Sequence, residues 1–347
     1  MKKNIIFVVV PILLLVLLFL GTTMRSKKVP TDGVVSNALR HVAESQLATG
    51  ELPSSLCLSR KSESCIPGNN VFLTASALYS LGETNKILKD TQAQSVMNKS
   101  LSFLDEQRDK NDLWRFWNKD YPDVLNPDLD DTAIASFVLE KYSKNRFDNL
   151  KYFASNKLPN GSFYTWVPDN EGANEIDISV VSNIILYLNH KNQNVDDVCS
   201  YLNDVIENNK EKQEVYTWNT AVVYYNYSKA YQSGVECLSK SKDKITQRIK
   251  ASQRENGSVD NSVLSTSMSI LALLNYDDNN NEFLAPAISY IRSSIDPTKN
   301  GFSKKYYFND FYFLATTFHK EYFVKSDVFS TILAIEALVR YDNLSRK

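Results

Sequence analysis

The sequence predicts an all-α protein: an (α/α)6 toroid of six helical hairpins, preceded by one N-terminal transmembrane helix. Three observations predict the ring. Short openings with a hydroxyl residue recur along the chain, the stretches behind them are apolar on every side, and one-faced amphipathic segments alternate with those stretches.

Val71-Phe72-Leu73-Thr74, Val263-Leu264-Ser265-Thr266 and Val328-Phe329-Ser330-Thr331 each open an apolar helical stretch, and Asp131-Thr132, Ile178-Ser179 and Asn219-Thr220 open three more. The hydroxyl residues stand at 74, 132, 179, 220, 266 and 331, a spacing that suits one helical hairpin plus its loops. The stretches behind them, residues 133–139 and 332–338 for example, are apolar almost all round, and a helix of that kind must be buried on every face. Between them, Val195, Val198, Cys199, Leu202, Val205 and Ile206 follow the spacing of a one-sided stripe, as do Leu284, Ile288, Ile291 and Ile295. Six enclosed helices alternating with six one-faced helices predict two concentric rings. A linear solenoid also alternates, but it does not readily bury an inner helix on all sides.

The loops that enter the inner helices share a character. Pro159-Asn160-Gly161-Ser162, Gln253-Arg254-Glu255-Asn256-Gly257-Ser258 and Lys299-Asn300-Gly301-Phe302 each carry Asn-Gly, a tight turn in which glycine accepts positive φ without strain. Gln107-Arg108-Asp109-Lys110-Asn111-Asp112-Leu113-Trp114 is the corresponding loop of another hairpin.

Ahead of the ring, residues 5–20 form an apolar run behind Lys2 and Lys3. The run is slightly short for a span and long for a signal-peptide core, and no clear small-x-small cleavage site follows, so an uncleaved anchor is expected, with a cleaved signal as the alternative. This divides the chain into an anchor or signal segment over 1–28 and a single toroid over 29–347. Arg25, Lys27 and Lys28 balance Lys2 and Lys3, so the positive-inside rule nearly cancels. Cys57 and Cys65 lie in a Ser/Pro/Gly-rich loop that suits a disulfide, which places the body outside the cytoplasm. Cys199 and Cys237 fall near the starts of outer helices and are read first as small core hydrophobes.

With 43% hydrophobic and 23% charged residues the composition is globular, and 39 Lys and Arg against 40 Asp and Glu leave no basic field for nucleic acid. Chemistry concentrates at one end of the ring. Asp128, Asp130 and Asp131 stand just before the second inner helix. One Asp there is explained as an N-cap. Three within four positions repel one another, which raises at least one pKa and leaves that group protonated near neutrality, able to act as a general acid. Cation binding is the other reading of the cluster. Trp114, Phe116, Trp117 and Tyr121 precede these acids; Phe163, Tyr164 and Trp166 precede the third inner helix, Tyr216 and Trp218 the fourth, and Tyr306 to Phe313 the sixth. Such a bowl suits a carbocation, held by cation–π attraction, or stacked sugar rings, and part of it is expected to plug gaps beneath the ring.

Asn126-Pro127-Asp128-Leu129-Asp130-Asp131-Thr132-Ala133 resembles the Pro-Asp-x-Asp-Asp-Thr-Ala element of class II terpene cyclases, and the Gly-Ser-Phe and Asn-Gly-Ser loops resemble degenerate forms of their Gln…Gly…Trp repeats. The similarity to the prenyltransferase/squalene-cyclase toroid runs over roughly residues 35 to 345. It implies that Asp130 is the acid that protonates an alkene or epoxide, that Asp128 and Asp131 tune it, and that aromatics such as Trp114, Trp117, Tyr121, Trp166 and Trp218 hold an isoprenoid or other lipid. It implies no redox cofactor; diphosphate substrates in that family often involve Mg²⁺. The chain has residues for one helical domain where class II cyclases usually place the site between two, and Val259 stands where the repeat calls for an aromatic. A carbohydrate-active six-hairpin enzyme and a non-catalytic membrane-tethered toroid are the alternatives. A zinc site is not expected, because His41, His190 and His319 have no cysteine at suitable spacing.

Overall fold

The computed structural model describes residues 33–58, 65–68, 70–119, 125–167, 174–213, 215–216, 219–294, 311–317 and 320–344. Six helices form an inner set: α2 (Val71–Leu88), α4 (Leu129–Ser143), α6 (Ile178–His190), α8 (Thr220–Gln232), α10 (Val263–Asn275) and α12 (Asp327–Leu344). Each packs on the next, and α12 packs back on α2, so the set closes into a ring. The outer helices are α1 (Gly33–Ser45), α3 (Thr91–Gln107), α5 (Leu150–Asn156), α7 (Asp196–Glu207), α9 (Lys242–Ala251) and α11 (Asn281–Ser293). Every inner helix begins within two residues of its predicted opening. The α7 stripe is buried at Val198, Cys199, Leu202, Val205 and Ile206, as its period requires. Inner helices are buried nearly throughout; eleven of the fifteen α4 residues are buried, without a break from Asp131 to Glu140.

One loop device recurs at four hairpins. Gly50, Asp112, Gly161 and Gly257 each have positive φ, and each donates its N–H to the carbonyl three residues back, at Leu47, Asp109, Leu158 and Arg254. The same four carbonyl-bearing residues donate their own N–H to Glu51, Leu113, Ser162 and Ser258, which closes the turn. Just beyond it, the N–H groups of Leu52, Trp114 and Val259 are buried, and they donate to the hydroxyls of Thr74, Thr132 and Thr266. The repeated threonine is therefore the acceptor that satisfies a buried loop donor. A side chain caps each inner helix: Asn70, Asp128, Asp177, Asn219, Ser262 and Ser326 accept from the first turn. The loops carrying these caps also knit to one another around the ring: the Val71 N–H meets the Phe116 carbonyl, Leu129 meets Thr165, Val215 meets Asp177, and Ser326 meets Pro53. The six N-termini thus share one end.

The structure departs from an all-α chain in one element. β1 (Ser55–Cys57), β2 (Cys65–Pro67), β3 (Phe311–Thr317) and β4 (Lys320–Lys325) form an antiparallel sheet of order β2-β1-β4-β3. Aromatic and β-branched runs such as Phe311-Tyr312-Phe313 and Tyr322-Phe323-Val324 favour strands; the first is expected only as part of the aromatic bowl, and the second is not singled out. Cys57–Cys65 is a disulfide, as expected, across the β1–β2 pair. Cys199 and Cys237 are a second disulfide rather than core thiols, because the 3₁₀ segment Glu236–Ser241 packs on α7 and brings their Cα atoms to 6.1 Å. Among the described residues no helix is long and apolar enough to cross a membrane; the expected anchor at residues 5–20 lies outside them.

Candidate active site

Asp128, Asp130 and Asp131 come together at the first turn of α4, and they divide the work. Asp128 is the cap: its Oδ1 accepts the Asp131 N–H at 2.7 Å. Its carboxyl and that of Asp131 are 3% and 2% exposed, and neither Asp128 Oδ2 nor Asp131 Oδ1 has a hydrogen-bond partner among the described residues. Two orphaned acceptor oxygens side by side are tolerable only if one carboxyl keeps its proton. Burial pushes Asp128 up to about 6, against hydrogen bonds that pull it down, and burial plus the neighbouring Asp128 hold Asp131 well above the usual carboxylate range.

Asp130 points elsewhere. Its carboxyl keeps partial access to solvent although protein surrounds it, and burial, then Asp128, push it up to about 8. Asp177 adds to the rise, while Asn183 and Lys229 oppose it. The Asn183 Nδ2 of α6 donates to Asp130 Oδ1 at 2.7 Å, and the Lys229 Nζ of α8 donates to Asn183 Oδ1 at 2.7 Å. Lys229 is 2% exposed, with its ammonium 5.6 Å from the Tyr79 ring centroid and 5.5 Å from that of Tyr225. Burial lowers it to about 8, against the pull of Asp130 and Glu336. Glu336 of α12 is fully buried beside Arg340 at 3.2 Å, and burial raises it to about 7. This polar file beneath the acid was not anticipated. Its signal was present, since Lys229 and Glu336 each place a charge within a buried stretch of an inner helix, and buried charges need partners.

The predicted aromatics separate into two groups. Trp114 has its whole surface taken up by protein: its indole N–H donates to the Leu104 carbonyl at 2.8 Å and its ring meets Phe147 edge-on. The loop turn fixes this residue, expected to bind substrate, inside the wall between hairpins. Phe163 is likewise buried. Trp117 and Trp166 are half-buried at the N-terminal end. Trp117 pairs edge-on with Phe116 above the α2 cap, and its backbone bridges Asn70. Trp166 bridges Asp128 through the backbone, and its indole N–H donates to Glu175, which also accepts from the Tyr216 hydroxyl. Tyr121 and Trp218 lie outside the described residues. Two clefts of about 590 and about 610 Å³ lie elsewhere, one at the C-terminal end of the ring beside Asn275 and Arg340, one outside the wall beside Pro127; the three carboxylates line neither. Among the described residues no three His, Cys, Asp or Glu side chains stand together as metal ligands.

No family model matches the sequence, and no curated protein does. Solved structures do match in shape. The type II terpene cyclase MstE from Scytonema superposes with a TM-score of 0.64 at 14% identity, over 90% of this chain and 99% of that one. A single-residue variant of that cyclase in complex with the substrate geranylgeranyl dihydroxybenzoate gives 0.62 at 15%, over 90% and 98%. A protein from Actinoplanes gives 0.66 at 13%, over 89% and 98%, and an α-amylase from Clostridium perfringens 0.55 at 14%, over 90% and 100%. At such identities the likeness is one of fold: the six-hairpin toroid is the shape this chain shares with the cyclase and the α-amylase alike.

Proposed function

We propose that the chain is a protonation-initiated cyclase of an isoprenoid lipid, with Asp130 as general acid. One observation carries the reading: a partly exposed Asp130 at the first turn of α4, with Oδ1 engaged by Asn183 and Oδ2 without a partner among the described residues, where burial pushes its pKa up to about 8. An acid whose pKa sits near the working pH is suited to give its proton away. In the step, the Oδ2–H bond breaks with its electron pair remaining on Asp130, and the proton is taken by the π pair of a substrate alkene, leaving a tertiary carbocation to be attacked by the next double bond. Asp128 and Asp131 share one proton behind it and keep a second full charge from forming alongside. Trp117, Trp166 and Tyr216 offer ring faces near the mouth for a cation. A diphosphate substrate would bring Mg²⁺ as its own counter-ion.

Similarity to a cyclase solved with a geranylgeranyl conjugate supports a linear polyprenyl substrate. Two disulfides support a body outside the cytoplasm, tethered by residues 5–20. The test is incubation of the purified protein and its Asp130→Asn variant with farnesyl-, geranylgeranyl- and squalene-type chains, free, as diphosphates with Mg²⁺ and as aryl conjugates. Cyclic products from the parent alone support the reading. A folded parent that yields none from the panel sinks it. A topology reporter fused to the C-terminus tests the second point, and a cytoplasmic signal overturns it.

A further inference from the structure

The acid does not stand alone in the ring: three inner helices contribute to one chain of contacts, Asp130 from α4, Asn183 from α6 and Lys229 from α8. Its chemistry is directional. An ammonium has only donors, so the atom of Asn183 that meets Lys229 Nζ must be the amide oxygen. The amide nitrogen is then turned to Asp130, and Asp130 Oδ1 must accept. A neutral carboxyl whose Oδ1 accepts carries its proton on Oδ2. Lys229 therefore decides which oxygen of Asp130 delivers the proton, through an amide that could otherwise turn over.

Charge gives the second half. Lys229 is buried and makes no ion pair with a carboxylate among the described residues; aromatic faces of Tyr79 and Tyr225 and the neutral Asn183 hold it. Before proton transfer Asp130 is neutral, and the cation lacks a close counter-charge. After transfer Asp130 is an anion joined to that cation by one amide, so the interaction is stronger in the state that transfer creates. The groups that face this pair are few. Asp128 on the same helix and Asp177 at the α6 cap oppose ionisation of Asp130. Glu336 on α12 competes for Lys229 and is itself held by Arg340 and Ser80.

We propose that Lys229 is a positioning residue for the acid, orienting Asn183 so that the transferable proton stands on Asp130 Oδ2 and supplying the counter-charge that awaits the carboxylate left behind. The proposal rests on reading Asp130 as the acid, and its test does not need turnover. The protonated carboxyl of Asp130 is followed by infrared spectroscopy as the C=O band present in the parent and missing from Asp130→Asn, across about pH 5 to about pH 10. In the parent the band should disappear near pH 8. In Lys229→Met the midpoint should move up by roughly one unit, a tenfold weaker acid, and Lys229→Arg should restore it. Asn183→Leu cuts the same connection at its other end and should also raise the midpoint; it serves if Lys229→Met does not fold. Parental midpoints in these variants overturn the proposal. Cyclisation is scored separately, so an inactive protein with the expected titrations removes the cyclase reading and leaves the Lys229–Asn183–Asp130 connection standing.

Discussion

At the residue scale, Asp130 differs from its two neighbours in that its engaged oxygen is held by a side chain from another helix, Asn183, and in that solvent partly reaches the residue while Asp128 and Asp131 are buried. Asp130→Asn keeps the size of the side chain and its contact with Asn183 but removes the proton, so turnover should fall by about a hundredfold or more while the circular dichroism spectrum is unchanged. The pH dependence has a definite sign. The folded chain holds this proton up to about pH 8, whereas an unfolded Asp loses it near 3.8. Between those values the folded state binds more protons, so its stability falls as pH rises and is least from this group above about pH 8. Urea midpoints across that window should therefore decline less steeply in Asp130→Asn than in the parent, and parallel declines would show that Asp130 titrates normally. The motif itself was legible, because Asp128, Asp130 and Asp131 are contiguous. Asn183 was not, since it arrives from another helix, 53 residues away, and a single sequence does not say which face of α6 meets α4.

At the element scale, the repeating turn shows why the openings could be read from sequence and some details could not. Threonine recurs at 74, 132 and 266 because a loop N–H at the same offset from each turn needs an acceptor. Glycine recurs because the turn presses on the neighbouring outer helix: a Cβ on Gly161 would lie 2.3 Å from the Asp197 carbonyl oxygen, and one on Gly257 2.3 Å from that of Pro286. Gly161→Ala should lower stability by roughly 2 kcal/mol or more, combining left-handed strain with a backbone clash. Gly234→Ala, whose Cβ meets only Asn189 Nδ2 at 3.5 Å, should cost about 1 kcal/mol. Equal losses in thermal melts would show that the clash is relieved. The strands were missed for a different reason. Their aromatic residues fit a ligand bowl as readily as a pleated edge, and β1 finds its partner β4 only across almost the whole chain.

At the scale of the whole molecule, two covalent links restrain different lengths of chain. Cys199–Cys237 spans 38 residues and Cys57–Cys65 spans 8. Loop-closure entropy then gives about 4 kcal/mol for the first and about 2.5 kcal/mol for the second. Replacing Cys199 and Cys237 by alanine should depress the melting temperature more than replacing Cys57 and Cys65, and the reverse order would mean that the hairpin link does more than shorten a loop. The alternation of enclosed and one-faced helices was enough to predict the ring, but its closure, α12 on α2, is a contact that periodicity alone does not report. That closure changes what a deletion would do. A stack of repeats can lose a terminal unit and remain a shorter stack with the same two caps to repair. A hoop of six staves has no terminal unit: remove any one, and the two neighbours must either swing together around a smaller circle, with every angle between staves altered, or stand apart with raw apolar flanks. The number of hairpins is thus fixed by geometry all at once, and the chain must gain or lose function without changing that count.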